Sequence, residues 1–153
     1  MINKLIRKVF LTKEIISKEG EVFFRRYRLL STPICNVYVH NILKSDQDLE
    51  PHTHPWNFIS LILKGGYIED YVVGPHHKNT CHDYIESYRN IVKAGDFVMH
   101  HYSDAHKIQL TDDNVWTIVF TWGTKEPWGY VYSDGTDIDH KEYRRIKNEF
   151  YNM

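Results

Sequence analysis

The sequence predicts an all-β domain, barrel-like and carrying one helix at its C-terminal end, and three observations support that reading. Short β-rich segments recur as far as about residue 132, separated by Gly, Pro, Asn and Asp at the spacing of a sandwich or barrel. Two of the interruptions, Lys64-Gly65-Gly66 and Lys93-Ala94-Gly95-Asp96, offer the positive φ of tight turns. After Asp137 or Asp139 the period changes, because Tyr143, Ile146 and Phe150 stand at i, i+3 and i+7, as one helix face requires.

In chain order, strands are predicted at 5–11, 21–30, 34–43, 58–63, 67–73 and 85–92, and then at 97–100, 106–110, 116–122 and 128–132. The two Gly turns are expected to close hairpins. Residues 74–83, GPHHKNTCHD, have no apolar periodicity and read as an exposed loop between two halves of the barrel, with His76, His77 and His82 in solvent. An Asp cap followed by Glu142 starts the helix, over about 139–151, which is expected to pack on the outside of the barrel. No linker or repeat interrupts the chain, so 1–153 is read as one domain, with the barrel at about 20–135.

Composition narrows the function classes. At 153 residues, 42% hydrophobic and 25% charged, the chain can bury a core without staples. No apolar run reaches the roughly 20 residues of a membrane helix, and the first residues lack the pattern of a secretory signal. A soluble, cytoplasmic protein with Cys35 and Cys81 as free thiols is expected. Nineteen Lys and Arg against 20 Asp and Glu leave no broad field for nucleic acid or anionic lipid, so the expected partner is a small molecule.

The chemistry is concentrated in the histidines. In Pro51-His52-Thr53-His54-Pro55 the two imidazoles share a face if the segment is extended, and the flanking prolines favour extended backbone. Gly95-Asp96 launches a strand, and His106 opens the next one, where a third ligand can stand. His100 and His101 are adjacent in a strand and point to opposite faces, so one at most can join.

These two elements resemble the paired motifs of the cupin superfamily, the first at His52, His54 and Gly65 or Gly66, the second at Gly95, Asp96 and His106. The tract from His54-Pro-Trp-Asn-Phe-Ile to Gly65-Gly66-Tyr67, with Trp116 to Phe120 and Trp128-Gly-Tyr, is similar to a group of small single-domain cupins with a three-histidine site. That resemblance implies a double-stranded β-helix, or jelly-roll, barrel holding one divalent metal ion on His52, His54 and His106, and by analogy a homodimer. The acid of the first motif falls on Phe58 or Ile59, which are expected in apolar core, so no anionic ligand is supplied there. Glu50 and Glu69 are the rival carboxylates, Glu50 sharing strand parity with the pair.

Three imidazoles leave two or three coordination positions open and suit Fe, Zn, Ni, Mn or Cu. Three-histidine iron centres resemble those of thiol dioxygenases such as cysteine dioxygenase, which implies oxygen chemistry with Fe(II) favoured. The leading reading is therefore an Fe(II) oxygenase. The alternatives are an isomerase or epimerase using the metal as a Lewis acid, with His101 or Tyr102 moving the proton, and a non-catalytic ligand-binding module. Trp56, Tyr102 and Trp122 are candidate pocket walls. Arg26, of opposite parity to Arg25 and Arg28, is the candidate clamp for a carboxylate or phosphate, set against a solvated strand face.

Overall fold

The structure is a computed structural model that describes residues 11–16, 20–73, 87–123 and 125–151. Eleven strands and one helix follow in order among them: β1 (Leu11–Ile16), β2 (Val22–Ser31), β3 (Cys35–Ile42), β4 (Asn57–Lys64), β5 (Gly66–Val72), β6 (Ser87–Lys93), β7 (Phe97–His100), β8 (Ala105–Leu110), β9 (Val115–Trp122), β10 (Gly129–Val131), β11 (Asp137–Asp139) and α1 (His140–Tyr151). The predicted strand at 5–11 falls outside the described residues except for Leu11, as do the loop 74–83, its histidines and Cys81. Cys35 carries a free thiol.

The larger sheet runs β1-β2-β3-β9-β4-β7, the smaller β6-β5-β8, and β10 pairs with β11. Period-two burial along β4 and β9 puts Phe58, Ser60 and Ile62 with Val115, Thr117, Val119 and Thr121 on the inner face. Between the sheets Ile62, Tyr67, Val92, Ile108 and Val115 form the apolar core, with Ile42, Val98 and Leu110 packed against it.

Two expectations are corrected here. The Gly65 and Gly95 turns have positive φ, 76° and 96°, but they are corners rather than hairpins, since β4 and β7 belong to the larger sheet while β5 and β6 belong to the smaller. A Cβ at Gly65 would lie 2.3 Å from the Asn114 carbonyl oxygen, so glycine is required there on two counts. Nor is the barrel closed: no ladder joins the two sheets among the described residues, and they pack as an open β-sandwich. Alternation along a strand fixes which face is buried, whereas closure depends on strand tilt and stagger, which a single strand's pattern does not carry.

The segment between β3 and β4 runs along the free edge of β8. Asp46 Oδ2 accepts from Ile108 N (2.8 Å), and Ser45 Oγ accepts from Leu110 N (2.9 Å). Further on, His52 and His106 exchange both backbone hydrogen bonds (2.9 and 3.0 Å), while Thr53 N donates to Gly129 O and Val131 N to Pro51 O. Residues 51–53 are thus held between β8 and β10. Helix α1 is capped by Asp139, whose Oδ1 accepts from Lys141 N, and it stacks Tyr143 on Tyr130 with centroids 3.9 Å apart. The Tyr130 hydroxyl and Lys147 both donate to the Asp48 carboxylate (2.8 and 2.6 Å), so the helix braces the loop that carries His52.

Candidate metal centre

Because His52 and His106 are a directly opposed antiparallel pair, their side chains rise on one face. His54 lies two residues beyond His52, on the same side. Ring centroids of the three stand 4.9 to 5.0 Å apart, and one nitrogen from each falls within 4.8 Å of the others. His54 Nε2 and His106 Nε2 are 2.8 Å apart.

Behind His106 stands Glu69 of β5, 1% exposed, whose Oε1 lies 2.6 Å from His106 Nδ1. His100 Nε2 comes within 2.9 Å of the same oxygen, an ion-pair distance, yet neither His100 ring nitrogen forms a directed hydrogen bond. Burial alone would raise the Glu69 carboxyl, but His100 and His106 outweigh it and hold it at about 2. An ionised carboxylate only accepts, so His106 Nδ1 donates to Glu69, which turns Nε2 toward His52 and His54. Burial, with the neighbouring rings, pushes His52 down to about 4 and His54 well below its ordinary value. Both are neutral at pH 7, which is the ligating form.

Phe58 closes the floor of the cluster, its ring 4.8 Å from those of His54 and His100 and 6.0 Å from that of His106. It is buried as expected, against imidazoles rather than in the apolar core, and Ile59 turns to the outer face with its strand parity. Of the adjacent pair, His100 faces inward and is 2% exposed. His101 sits in the β7–β8 turn, where Nδ1 meets Ser103 Oγ at 2.9 Å and the ring lies 4.3 Å from that of Tyr102. Tyr102 is 38% exposed, and its backbone N–H donates to Asn57 Oδ1. Trp56 is half-buried in the bend before β4.

Trp122 faces outward, 38% exposed, on the side opposite Thr121; the pocket-wall expectation for it is corrected by strand parity. Arg26 does face inward. Its Nε donates to His40 Nε2 (3.1 Å), its guanidinium lies over the Tyr38 and Phe24 rings at 4.8 and 5.6 Å, and its charge is among the causes that lower His54.

Comparison with solved structures places this architecture. The Fe(II) form of HppE, hydroxypropylphosphonic acid epoxidase, superposes with a TM-score of 0.54 at 13% identity, covering 72% of this chain and 55% of that one. Its complex with substrate gives 0.53 at 12%, covering 73% and 55%. A structure from work on the DMSP lyases RdDddP and RnDddQII gives 0.51 at 14%, covering 71% and 53%. This chain spans about half the length of those proteins, and at such identities it is the fold that is shared. No protein-family model matches the chain, and no curated protein does. No helix among the described residues is long and apolar enough to cross a membrane.

Proposed function

We propose that this chain is a metal-dependent enzyme of cupin-like fold, which holds one divalent ion, Fe(II) in preference, on His52, His54 and His106 and acts as an oxygenase on a small molecule. The observation that carries the reading is the convergence of three imidazoles with no carboxylate among them, two of them held neutral by burial. Such a donor set fits Fe(II) and equally Zn, Ni, Mn or Cu. When bound there, the ion supplies redox or Lewis-acid chemistry at open coordination positions.

The chain's own side chains do the rest. Glu69 is a positioning residue: by accepting from His106 Nδ1 it fixes the tautomer, aims Nε2 inward and places one negative charge just outside the ligand ring. Phe58 excludes water from the floor. Arg26, held on Tyr38 and Phe24, is the group to which a substrate carboxylate or phosphate would be drawn. His101 and Tyr102, the proton-moving candidates of an isomerase, are engaged in the β7–β8 turn, so that reading gains no support from the geometry.

Elemental analysis of protein purified without added metal, followed by oxygen uptake with thiols, diketones and phenols on the Fe(II)-loaded form, tests the proposal. Substrate-dependent uptake that vanishes in His106→Ala is expected. Zinc as the resident metal, with no uptake by the iron form, overturns it, and a ligand-induced rise in melting temperature without turnover would favour a binding module.

A further inference from the structure

The groups behind His106 make a second donor set. Glu69 of β5, His100 of β7 and His106 of β8 offer one oxygen and two nitrogens that all lie within 4.8 Å of one another. Glu69 and His100 are buried, and the three side chains come from both sheets. Aromatic rings hold His100 from two sides, Phe58 at 4.8 Å and Tyr71 at 4.9 Å. The Tyr71 hydroxyl is itself fixed by donating to Asp104 Oδ2 (2.6 Å).

Hydrogen bonding alone leaves this group unexplained. His100 Nε2 stands 2.9 Å from Glu69 Oε1, a hydrogen-bonding distance, but the contact is misdirected and Nδ1 has no partner among the described residues. Burying polar atoms without directed partners is costly. Two ligands of one ion have the relation seen here, because each aims its lone pair at the ion rather than at the other. At metal–ligand bonds of about 2.0–2.2 Å, tetrahedral donors stand roughly 3.4 Å apart. Glu69 Oε1, 2.6 Å from one nitrogen and 2.9 Å from the other, needs only a small movement to reach that spacing.

We infer that Glu69, His100 and His106 form a second metal site, distinct from the three-histidine centre, which takes one zinc ion. Imidazole and carboxylate are zinc ligands, and the Glu69 carboxylate offsets part of the ion's charge, which three neutral rings cannot do. His106 is common to both sets, with Nδ1 facing Glu69 and Nε2 facing His54. Zinc takes Nδ1 in place of its proton, which leaves to solvent. With both sets filled, the ring bridges two ions roughly 6 Å apart, one on each nitrogen. The buried ion ties β7 of the larger sheet to β5 and β8 of the smaller, where no ladder joins them among the described residues. It does not need an oxygenase beside it, although His106 serves both.

Zinc bound at saturation by the full chain, counted by equilibrium dialysis and elemental analysis, provides the test. Counts are read as differences from wild type, so ions held elsewhere cancel. His100→Phe should hold one ion fewer, His52→Ala one fewer and the double variant two fewer, with far-ultraviolet circular dichroism unchanged. His100→Gln, polar and of similar size, replaces the phenylalanine variant should that one not fold. An unchanged count in the His100 variant overturns the inference. So does a double variant that loses no more than either single one, since one ion then uses both donor sets. A count that falls in His100→Phe but not in His52→Ala keeps the buried site and removes the three-histidine centre.

Discussion

The two faces of the six-stranded sheet divide polar and apolar side chains in an unusual way. Inward, beside the apolar core, lie Arg26, His40, Thr117, Ser60 and Thr121, the last three no more than 5% exposed. Outward lie Phe97, Met99, Phe120 and Leu30, all largely open. A polar interior is costly unless it hosts something polar, and an open apolar exterior is unusual unless something covers it. Period-two patterning assigns residues to a face, but it does not say which face is wet. The three-histidine cluster gives the interior its reason.

The most forceful way to break this comparison is to truncate one residue on each face. Ile62→Ala, at a position 1% exposed in the core, should lower unfolding stability by about 2–5 kcal/mol at any protein concentration. Phe97→Ala, 70% exposed, should change the stability of the monomer by no more than about 0.5 kcal/mol. Denaturant melts distinguish the two, and equal losses for both variants would mean that Phe97 is packed as closely as Ile62.

Next in size are the metal site's own variants. His106→Ala should abolish tight metal binding while the sandwich stays folded, because the core of Ile62, Tyr67, Val92, Ile108 and Val115 does not include the ligands. Stability should fall by no more than the binding contribution, about 2.7 kcal/mol when metal is at a hundred times its dissociation constant. Metal analysis and thermal melts with and without chelator read this out. Chelator that unfolds the wild type outright would make the ion structural.

Glu69→Gln sharpens the same point more gently. The amide keeps the shape but loses the charge that fixes His106, so metal affinity should fall about 10- to 100-fold. A complete loss of binding would mean that Glu69 ligates the ion directly. A second group, Glu69 with His100 and His106, is close enough for that, and Glu69→Asp, which keeps the carboxylate, should then bind more metal than Glu69→Gln.

What the sequence made legible, and what it did not, divides along the line between local and long-range information. Strands predicted at 97–100 and 116–122 are found at Phe97–His100 and Val115–Trp122, because alternation and turn residues are local signals. The cluster of His52, His54 and His106 was legible from an H-x-H pair and a Gly turn. The corner role of Gly65 and Gly95 was not, since whether a turn closes a hairpin or changes sheets depends on pairing partners far along the chain. Strand β11, Asp-Ile-Asp, is too short and polar to announce itself. Glu69 was read only as a rival ligand; its parity with Tyr67 marked it as inward, but its partner lies 37 residues away. His100 looked optional beside His101 until the register opposed it to Phe58.

The smallest expected effect concerns the polar interior itself. His40 accepts from Arg26 Nε through an unprotonated Nε2, and burial, then the charges of Arg26 and Lys13, lower its pKa to about 3. In the unfolded chain the same imidazole takes its proton near 6.5. Between those values the unfolded state binds more protons, so this group's contribution is fully present above about 6.5 and is lost as pH falls toward about 3. The slope is at most about 1.4 kcal/mol per pH unit. His52 and His54 titrate in the same direction, so the informative quantity is a difference: the loss of stability from pH 7 to pH 5.5 in wild type minus that in His40→Gln, both measured with chelator present. The glutamine variant should lose less, by about 1 kcal/mol. Equal losses would mean that His40 accepts its proton without disturbing Arg26, and that the inner face tolerates charge as a solvated surface would.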